Sequence, residues 1–539
     1  MQSQKIDTQA KHMINFLVRN FQQFFRFFAI AILLLVLFFS WSFASAVGSS
    51  SDEDIELINI WCGHQVTVRL ENDGLRSRRE TTEFDGTVKT ATQFCKFDPR
   101  NQRQFLLPKL VAEPQECFLT FGQNESAACQ RNSQELISSK YFEATKNNFY
   151  VTTLRNLVSP FVEASVVKMR LFNSFLAAVL IAVVVSLDRQ RSSDWFLGWL
   201  AVIAPVTVYF IASVNSSGWA LTGTTCFVFG LLLALRNRGQ PKIWVPASVI
   251  ALTSAFVANA SRREAKYVLL ILTTSIVINE LVKNRNKIGK MTLLLSLVAL
   301  PVMYIVFNFF TSVIGFARFN IFNDPRVEVD LGITTTAYDI LVNNVINLPR
   351  FIIGFFGGWG LGWFELELTS TVWLFTLQTF LLTIGFAFFK SSKNHRVLIV
   401  ALFGLMCMAI IYAHQQRFAK IFEYIQPRYF LPFFLGILII AAANKKERYP
   451  QSLVVTVAIL STIANSIALR DTIRRYTTGQ DVFISKSLNN PREWWWNFGP
   501  QPETIWLTGT LAFAALYALL IYERRNDLVE SDPVTSSAI

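Results

Sequence analysis

The sequence predicts an all-α integral membrane protein with about twelve transmembrane helices and a disulfide-bonded loop domain after the first. Three observations carry that prediction. Of the 539 residues, 52% are hydrophobic and only 16% are charged, whereas a soluble domain carries about 25% charged residues. The apolar residues come in runs of about 20, the length a helix needs to cross a bilayer. The cationic residues gather in the short polar turns between alternate runs, as they do in cytoplasmic loops. An ordinary soluble enzyme, a disordered chain and a nucleic-acid-binding domain are excluded. The net charge of +13 is absorbed by the loop bias and implies no nucleic-acid partner.

The first run, 27–46, follows Lys5, Lys11, Arg19 and Arg26. Its end, Ala44-Ser45-Ala46, resembles a signal-peptide cleavage site. The run is long enough to span and continues into a many-span chain, so it reads as a retained anchor, with residues 1–26 cytoplasmic. Spans two to seven occupy 168–187, 195–213, 218–235, 243–259, 266–283 and 291–313, within 168–313. Spans eight to eleven follow at 370–389, 396–413, 428–444 and 452–469, within 370–469. The last span is 503–522 and the tail is 523–539. Counted from an inside N-terminus, the turns carrying Arg189/Arg191, Arg236/Arg238/Lys242, Lys283/Arg285/Lys287/Lys290, Lys390/Lys393/Arg396 and Lys445/Lys446/Arg448 all fall inside. Both termini are therefore expected in the cytoplasm of a cell whose plasma membrane holds the chain.

Three segments are left outside: 47–167, 314–369 and 470–502. The first is long enough to fold as a small domain and holds Cys62, Cys95, Cys117 and Cys129. An even number of cysteines confined to the outer loop implies disulfides in an oxidising compartment. Of the three pairings, Cys62–Cys95 with Cys117–Cys129 closes short loops at least entropic cost. A zinc site would need a CxxC pair or a matching histidine cluster, and neither is present. Asn124-Glu125-Ser126 fits the glycosylation pattern. In the second outer segment, Phe351–Trp363 is apolar but short and carries five glycines. Counted as a span it would turn every later basic turn outward, so it is expected to be re-entrant or interfacial.

Four constellations could carry chemistry. Ser51-Asp52-Glu53-Asp54 follows the first span, where a helix cap and a functional acid are both natural readings. The functional reading is a general base, or a ligand for a divalent cation, at the lipid–water boundary. Ser261-Arg262-Arg263-Glu264 lies in an outward turn, against the inside bias. Paired guanidinium groups there suit a lipid phosphate, and snorkelling to headgroups is the plain alternative. Gln426-Pro427-Arg428-Tyr429 opens the tenth span on the same face, so Gln426, Arg428 and Tyr429 join the candidate phosphate and donor contacts. The Gly-rich segment offers Trp359 and Trp363 as flat faces for a sugar ring or as belt residues, and Trp494-Trp495-Trp496 reads the same way. No phosphate-binding loop, dinucleotide fingerprint or HExxH motif occurs, and the four histidines are scattered. No metal-binding set is assigned.

Four stretches in order, SSSDEDIELINIWCG, ASVNSSGWALTG, LPRFIIGFFGGWGLGWFELELTSTVW and QPRYFLP, resemble the bacterial, best known as actinobacterial, family called domain of unknown function 2142. Members commonly show S-P-D-E where this chain has Ser50-Ser51-Asp52-Glu53, and often N-P-S where it has Asn215-Ser216-Ser217. The family's layout is similar to the GT-C class of membrane glycosyltransferases. That similarity implies a polyprenyl-phosphate sugar donor, a glycan or lipid acceptor, and Asp52 or Glu53 as base. It places Asn215, Trp359 and Trp363 along the substrate. It is a fold-level analogy. Two other functions stand beside it: a transporter or flippase of lipid-linked saccharide, and a non-catalytic envelope assembly protein.

Overall fold

The computed structural model describes residues 2–63, 95–98, 101–120, 126–131, 135–138, 148–203, 205–283, 326–328, 333–479, 488–489, 493, 496 and 498–531. Sixteen helices are found among them. The first ten are α1 (Gln2–Ala44), α2 (Glu53–Cys62), α3 (Lys109–Ala112), α4 (Phe149–Arg155), α5 (Val162–Ser186), α6 (Arg189–Leu200), α7 (Val206–Ile211), α8 (Ser216–Arg236), α9 (Pro241–Ser261) and α10 (Ala265–Lys283). After them come α11 (Ala337–Ile353), α12 (Ser370–Phe389), α13 (Lys393–Gln416), α14 (Leu431–Asn444), α15 (Gln451–Thr478) and α16 (Pro502–Ser531). The molecule is a multi-pass helical membrane protein. The expected span 291–313, the pair Asn124-Glu125, Trp494 and Trp495 lie outside the described residues.

Ten helical stretches among the described residues are long and apolar enough to cross a bilayer, and nine of them fall on expected spans. The helix boundaries obey local chemistry. Asn215 caps α8 by accepting from the Ser217 N–H at 2.9 Å. α9 opens on Pro241, where a missing N–H costs nothing. The α1 helix starts at Gln2, well before the first apolar run, so the expected 1–26 tail continues the first span's helix.

The tenth stretch, Ala337–Phe356, satisfies the same length and apolarity. Its contacts nevertheless argue against a crossing. The Ala337 carbonyl accepts from Gln415 Nε2 at 2.9 Å. Asn344 donates to the Ala419 carbonyl at 3.0 Å and accepts from the Ile421 N–H at 2.8 Å. The Phe351 ring meets the His414 ring edge-on at 5.4 Å. Positions 337 and 351 lie about 21 Å apart along a helix, yet they meet neighbouring residues of α13. So α11 lies across the end of α13 instead of beside it. Its other face leaves Tyr338, Leu341, Val345 and Ile346 exposed, as an interfacial helix does. The Gly-rich residues beyond it fold into tight turns with positive φ at Gly357, Gly360, Gly362 and Phe364.

The expected span 195–213 is broken into α6 and α7, with Pro205 preceding α7. Proline has no N–H to give to the carbonyl four residues earlier. That carbonyl, of Ala201, instead accepts from Thr379 Oγ1 at 2.6 Å. The last expected crossing to differ, 428–444, is the shorter helix α14.

The bundle has two distinct ends. At the basic end, Arg26 donates to the Val185 carbonyl at 2.9 Å and pairs with Glu523 at 2.8 Å, tying α1, α5 and α16 together. Arg236 pairs there with Glu280 at 2.9 Å, joining α8 to α10. At the far end lie the C-terminus of α1, all of α2, and the N-termini of α5, α8, α10 and α14. The chain leaves α10 at the basic end, and its next described helix, α11, is at the far end. The loop after α1 adds a small antiparallel sheet in the order β1 (Lys96–Asp98), β2 (Asn101–Pro108), β3 (Leu136–Ser138), an element the all-helical expectation lacked. The Cys62–Cys95 disulfide ties the end of α2 to the residue before β1. Cys129 is disulfide-bonded as well, while the expected partner side chain, Cys117, lies outside the described ones.

Candidate functional site

The seven residues Ala46–Asp52 turn the chain from α1 into α2, and each is fixed by something distant. Gln130 accepts from the Val47 N–H at 3.0 Å and donates to its carbonyl at 2.7 Å. Trp363 Nε1 donates to the Gly48 carbonyl at 2.9 Å. Gly48 has φ +73°, and a Cβ there would lie 2.4 Å from the Pro114 ring. Tyr209 donates to Ser49, and Ser213 and Asn215 to Ser50 Oγ, at 3.2–3.3 Å. Asn215 Nδ2 also reaches the Ser51 carbonyl at 2.6 Å.

This bracing holds Asp52 at φ 68°, a left-handed conformation that a non-glycine residue adopts at a cost. Asp52 occupies the N-cap position of α2, but its side chain caps nothing. Its carboxylate turns instead toward cations. Oδ2 receives Arg428 Nη2, Tyr429 Oη at 3.4 Å and Arg262 Nη2 at 3.7 Å. The Arg262 guanidinium lies over the Tyr429 ring at 4.7 Å, and that of Arg428 at 5.0 Å. Arg428 also donates to the Ser51 carbonyl at 2.8 Å. The Asp52 side chain is 27% exposed and that of Arg428 only 1%. Beside them is a narrow recess of about 10 Å³, room for roughly one water. It is lined by Ser217, Arg262, Glu264, Arg428, Tyr429 and Pro432. Ser217 Oγ and the Nε atoms of Arg262 and Arg428 are buried there with no hydrogen-bond partner among the described residues.

The neighbouring acids have other surroundings. Glu53 is fully buried and paired with Arg170, whose Nη2 lies 3.0 Å from Oε1 and 3.1 Å from Oε2. Arg170 also donates to the carbonyls of Ser42, Ser45 and Ala46. Burial pushes the Asp54 carboxyl up to about 6, with the charge of Asp52 adding to it, while Gln115 donates to Oδ2 at 3.2 Å. Glu56 accepts from Ser216 at 2.9 Å.

The expected site residues therefore separate. Asp52, Arg262, Arg428 and Tyr429 meet on one carboxylate, and Asn215 braces their turn. Arg263 is exposed and has no ion pair among the described residues. Gln426 begins the turn that carries Arg428, its carbonyl accepting from the Tyr429 N–H at 3.2 Å. Trp363 braces Gly48, so it supports the turn from beneath. Trp359 lies against the Phe422 ring at 4.2 Å, tilted by 32°, and donates to the Arg350 carbonyl, away from the carboxylates. Glu365 accepts from Tyr476 and from the Trp363 N–H, each at 2.6 Å, and burial raises its carboxyl. No group of three or more potential metal ligands occurs among the described residues.

Sequence reasoning missed Arg170. Arg170 did leave a signal: an arginine inside an apolar run must find a partner.

The family model described as "Predicted membrane protein (DUF2142)" matches residues 34–437, three quarters of the chain. The chain belongs to this family. The match runs from within α1 to within α14, so it contains the braced turn, both site arginines and Tyr429. No curated protein and no solved structure matches the chain.

Proposed function

We propose that this DUF2142 protein is a membrane glycosyltransferase that uses a polyprenyl-phosphate sugar at the far end of its bundle. The observation that carries the reading is the strained Asp52, its carboxylate aimed at Arg262, Arg428 and Tyr429. The Asp52 carboxylate takes the proton of an acceptor hydroxyl. The acceptor oxygen bonds to the anomeric carbon, and the bond from that carbon to the phosphate oxygen breaks. The electron pair leaves with the polyprenyl phosphate, whose growing charge is met by Arg262 and Arg428. Glu53 is given no chemical role in this scheme: paired with Arg170, it anchors the turn. The wider reading places the chain in a bacterial plasma membrane, with both termini and the basic end in the cytoplasm. A divalent cation near Asp52 is compatible with the reading and is not required by it.

Transfer of labelled sugar from a polyprenyl-phosphate donor by the purified chain tests this. Asp52→Asn is expected to lower turnover by roughly 10²–10⁴-fold, and Arg428→Lys to impair it through lost forked geometry. Unchanged transfer by Asp52→Asn removes the base. A carrier of lipid-linked saccharide is the second reading, favoured by the interrupted α6–α7 crossing. A carrier moves the labelled donor across the bilayer with its glycosyl–phosphate bond intact.

A further inference from the structure

At the basic end, remote from Asp52, the ends of α6, α8 and α10 and the turn after α14 surround a cavity of about 460 Å³. That volume lies in the range of small-molecule sites. Six cationic side chains line it: Arg191, Arg236, Lys283, Lys445, Lys446 and Arg448. Three acids oppose them, Asp194, Glu280 and Glu447, leaving a lining charge of +3.

The acids are already committed to partners. Asp194 is held by Lys445 and by Arg524. Glu280 pairs with Arg236 at 2.9 Å, and Glu447 with Lys390 at 2.9 Å. Arg236 also donates to the Ala443 carbonyl and to Asn444 at 2.5–2.6 Å, and its guanidinium lies 5.3 Å from the Trp195 ring centre. These pairs make fixed walls joining α8 and α10 to α14. The surplus charge sits at the rim, on exposed Lys283, exposed Lys446 and Arg191. Neither lysine has an ion pair among the described residues. Arg191 has a loose one, 3.8 Å from Asp188, and donates to the Arg236 carbonyl at 3.2 Å and to Asn237 at 2.8 Å, neutral partners that leave its charge unmatched.

A bias toward cytoplasmic cations explains charges spread over loops. It does not explain why the ends of four helices border one open basin with its acids paired and exposed cations at its rim. We infer that this cavity is a binding site for a phosphate-bearing anion, seated against Arg191, Lys283 and Lys446. Two sources share that chemistry, the headgroup of an anionic lipid and a soluble phosphate compound. A basic cavity between helices at this level suits the first.

The test uses the full-length chain in detergent, without its function. Native mass spectrometry and thermal shift are recorded against phosphatidylglycerol, phosphatidylcholine and inorganic pyrophosphate. The parent chain should bind phosphatidylglycerol saturably and in preference to phosphatidylcholine. Lys283→Gln should weaken binding about five-fold, and the pair Lys283→Gln with Lys446→Gln roughly thirty-fold. Both lysines are exposed, so the variants should fold; an unchanged elution profile checks this. Binding of the lipid alone assigns the headgroup, while pyrophosphate binding lost in the double variant assigns a soluble phosphate. The inference is overturned by absence of saturable binding for both anions, or by equal binding to the parent and the double variant.

Discussion

Glu53 and Asp52 are adjacent carboxylates in one turn, and the fold gives them different surroundings. Replacing Glu53 by Gln keeps the shape and removes the charge. Arg170 would then sit fully buried with no counter-ion, facing only three backbone carbonyls. Breaking a buried pair by removing one partner costs about 3–5 kcal/mol. Nearly all of that should be realised, because both side chains have no exposure and no water can take over. The assay is fluorescence-detected thermal unfolding in detergent, which needs no substrate. Glu53→Gln should melt several degrees below the parent. The double variant Glu53→Leu with Arg170→Met should recover most of the loss, since exchanging a buried pair for apolar side chains is often neutral. Asp52→Asn, in the same assay, should lose less than Glu53→Gln, because the Asp52 side chain is 27% exposed, although it too strips a buried arginine, Arg428, of its counter-ion. A stable Glu53→Gln variant that had lost sugar transfer would return the base role to Glu53.

Further outcomes follow from the same geometry. Asp52→Gly relieves φ 68° by about 1 kcal/mol but strips buried Arg428 of its counter-ion at about 3–5 kcal/mol, so stability should fall while transfer is abolished; higher stability would mean that the strain outweighs the ion pairs. Asp54 is raised from 3.8 to about 6, so folding favours its protonated form. Its stabilisation is complete below pH 3.8 and is lost as pH rises through 6. Asp54→Asn should therefore flatten melting temperature against pH between 3.8 and about 6 and gain about 2–3 kcal/mol above that window; an unchanged slope removes Asp54 as the source. Cys62→Ser, which opens the Cys62–Cys95 bridge across 33 residues, should cost about 3–4 kcal/mol, read from proteolysis of the loop; equal protease resistance would count against it. Labelling of a cysteine introduced at Lys446 should require access from the cytoplasmic side, and labelling from outside would invert the proposed orientation.

The long apolar helices were legible because length and apolarity are local properties. Nine expected spans coincide with helices, and the broken one carries its cause, Pro205, in plain view. Less legible was α11, whose glycine-rich continuation dominated the reading of that segment. Its amphipathic spacing shows only when Ile340, Asn344 and Phe351 are seen on one buried face. The site was half legible. Acids after the first span and arginines on the opposite turns were visible as types. Which acid faces which arginine was not, because the separation of Asp52 from Glu53 depends on one positive φ. That φ is imposed by side chains up to 377 positions away, a distance over which periodicity carries no information.

The braced turn between α1 and α2 also dates the completion of this protein. Its first half can settle once residues to about 215 exist, since Gln130, Arg170, Tyr209 and Asn215 are then present. Trp363 and Arg428 arrive much later in synthesis. Asp52 thus emerges among the earliest residues of the chain and acquires its final partners only after some four-fifths of it has been made. A truncated or stalled chain would carry the acid without its arginines. On this view a nascent protein holds the carboxylate proposed as its base unassembled until most of the bundle is in the membrane.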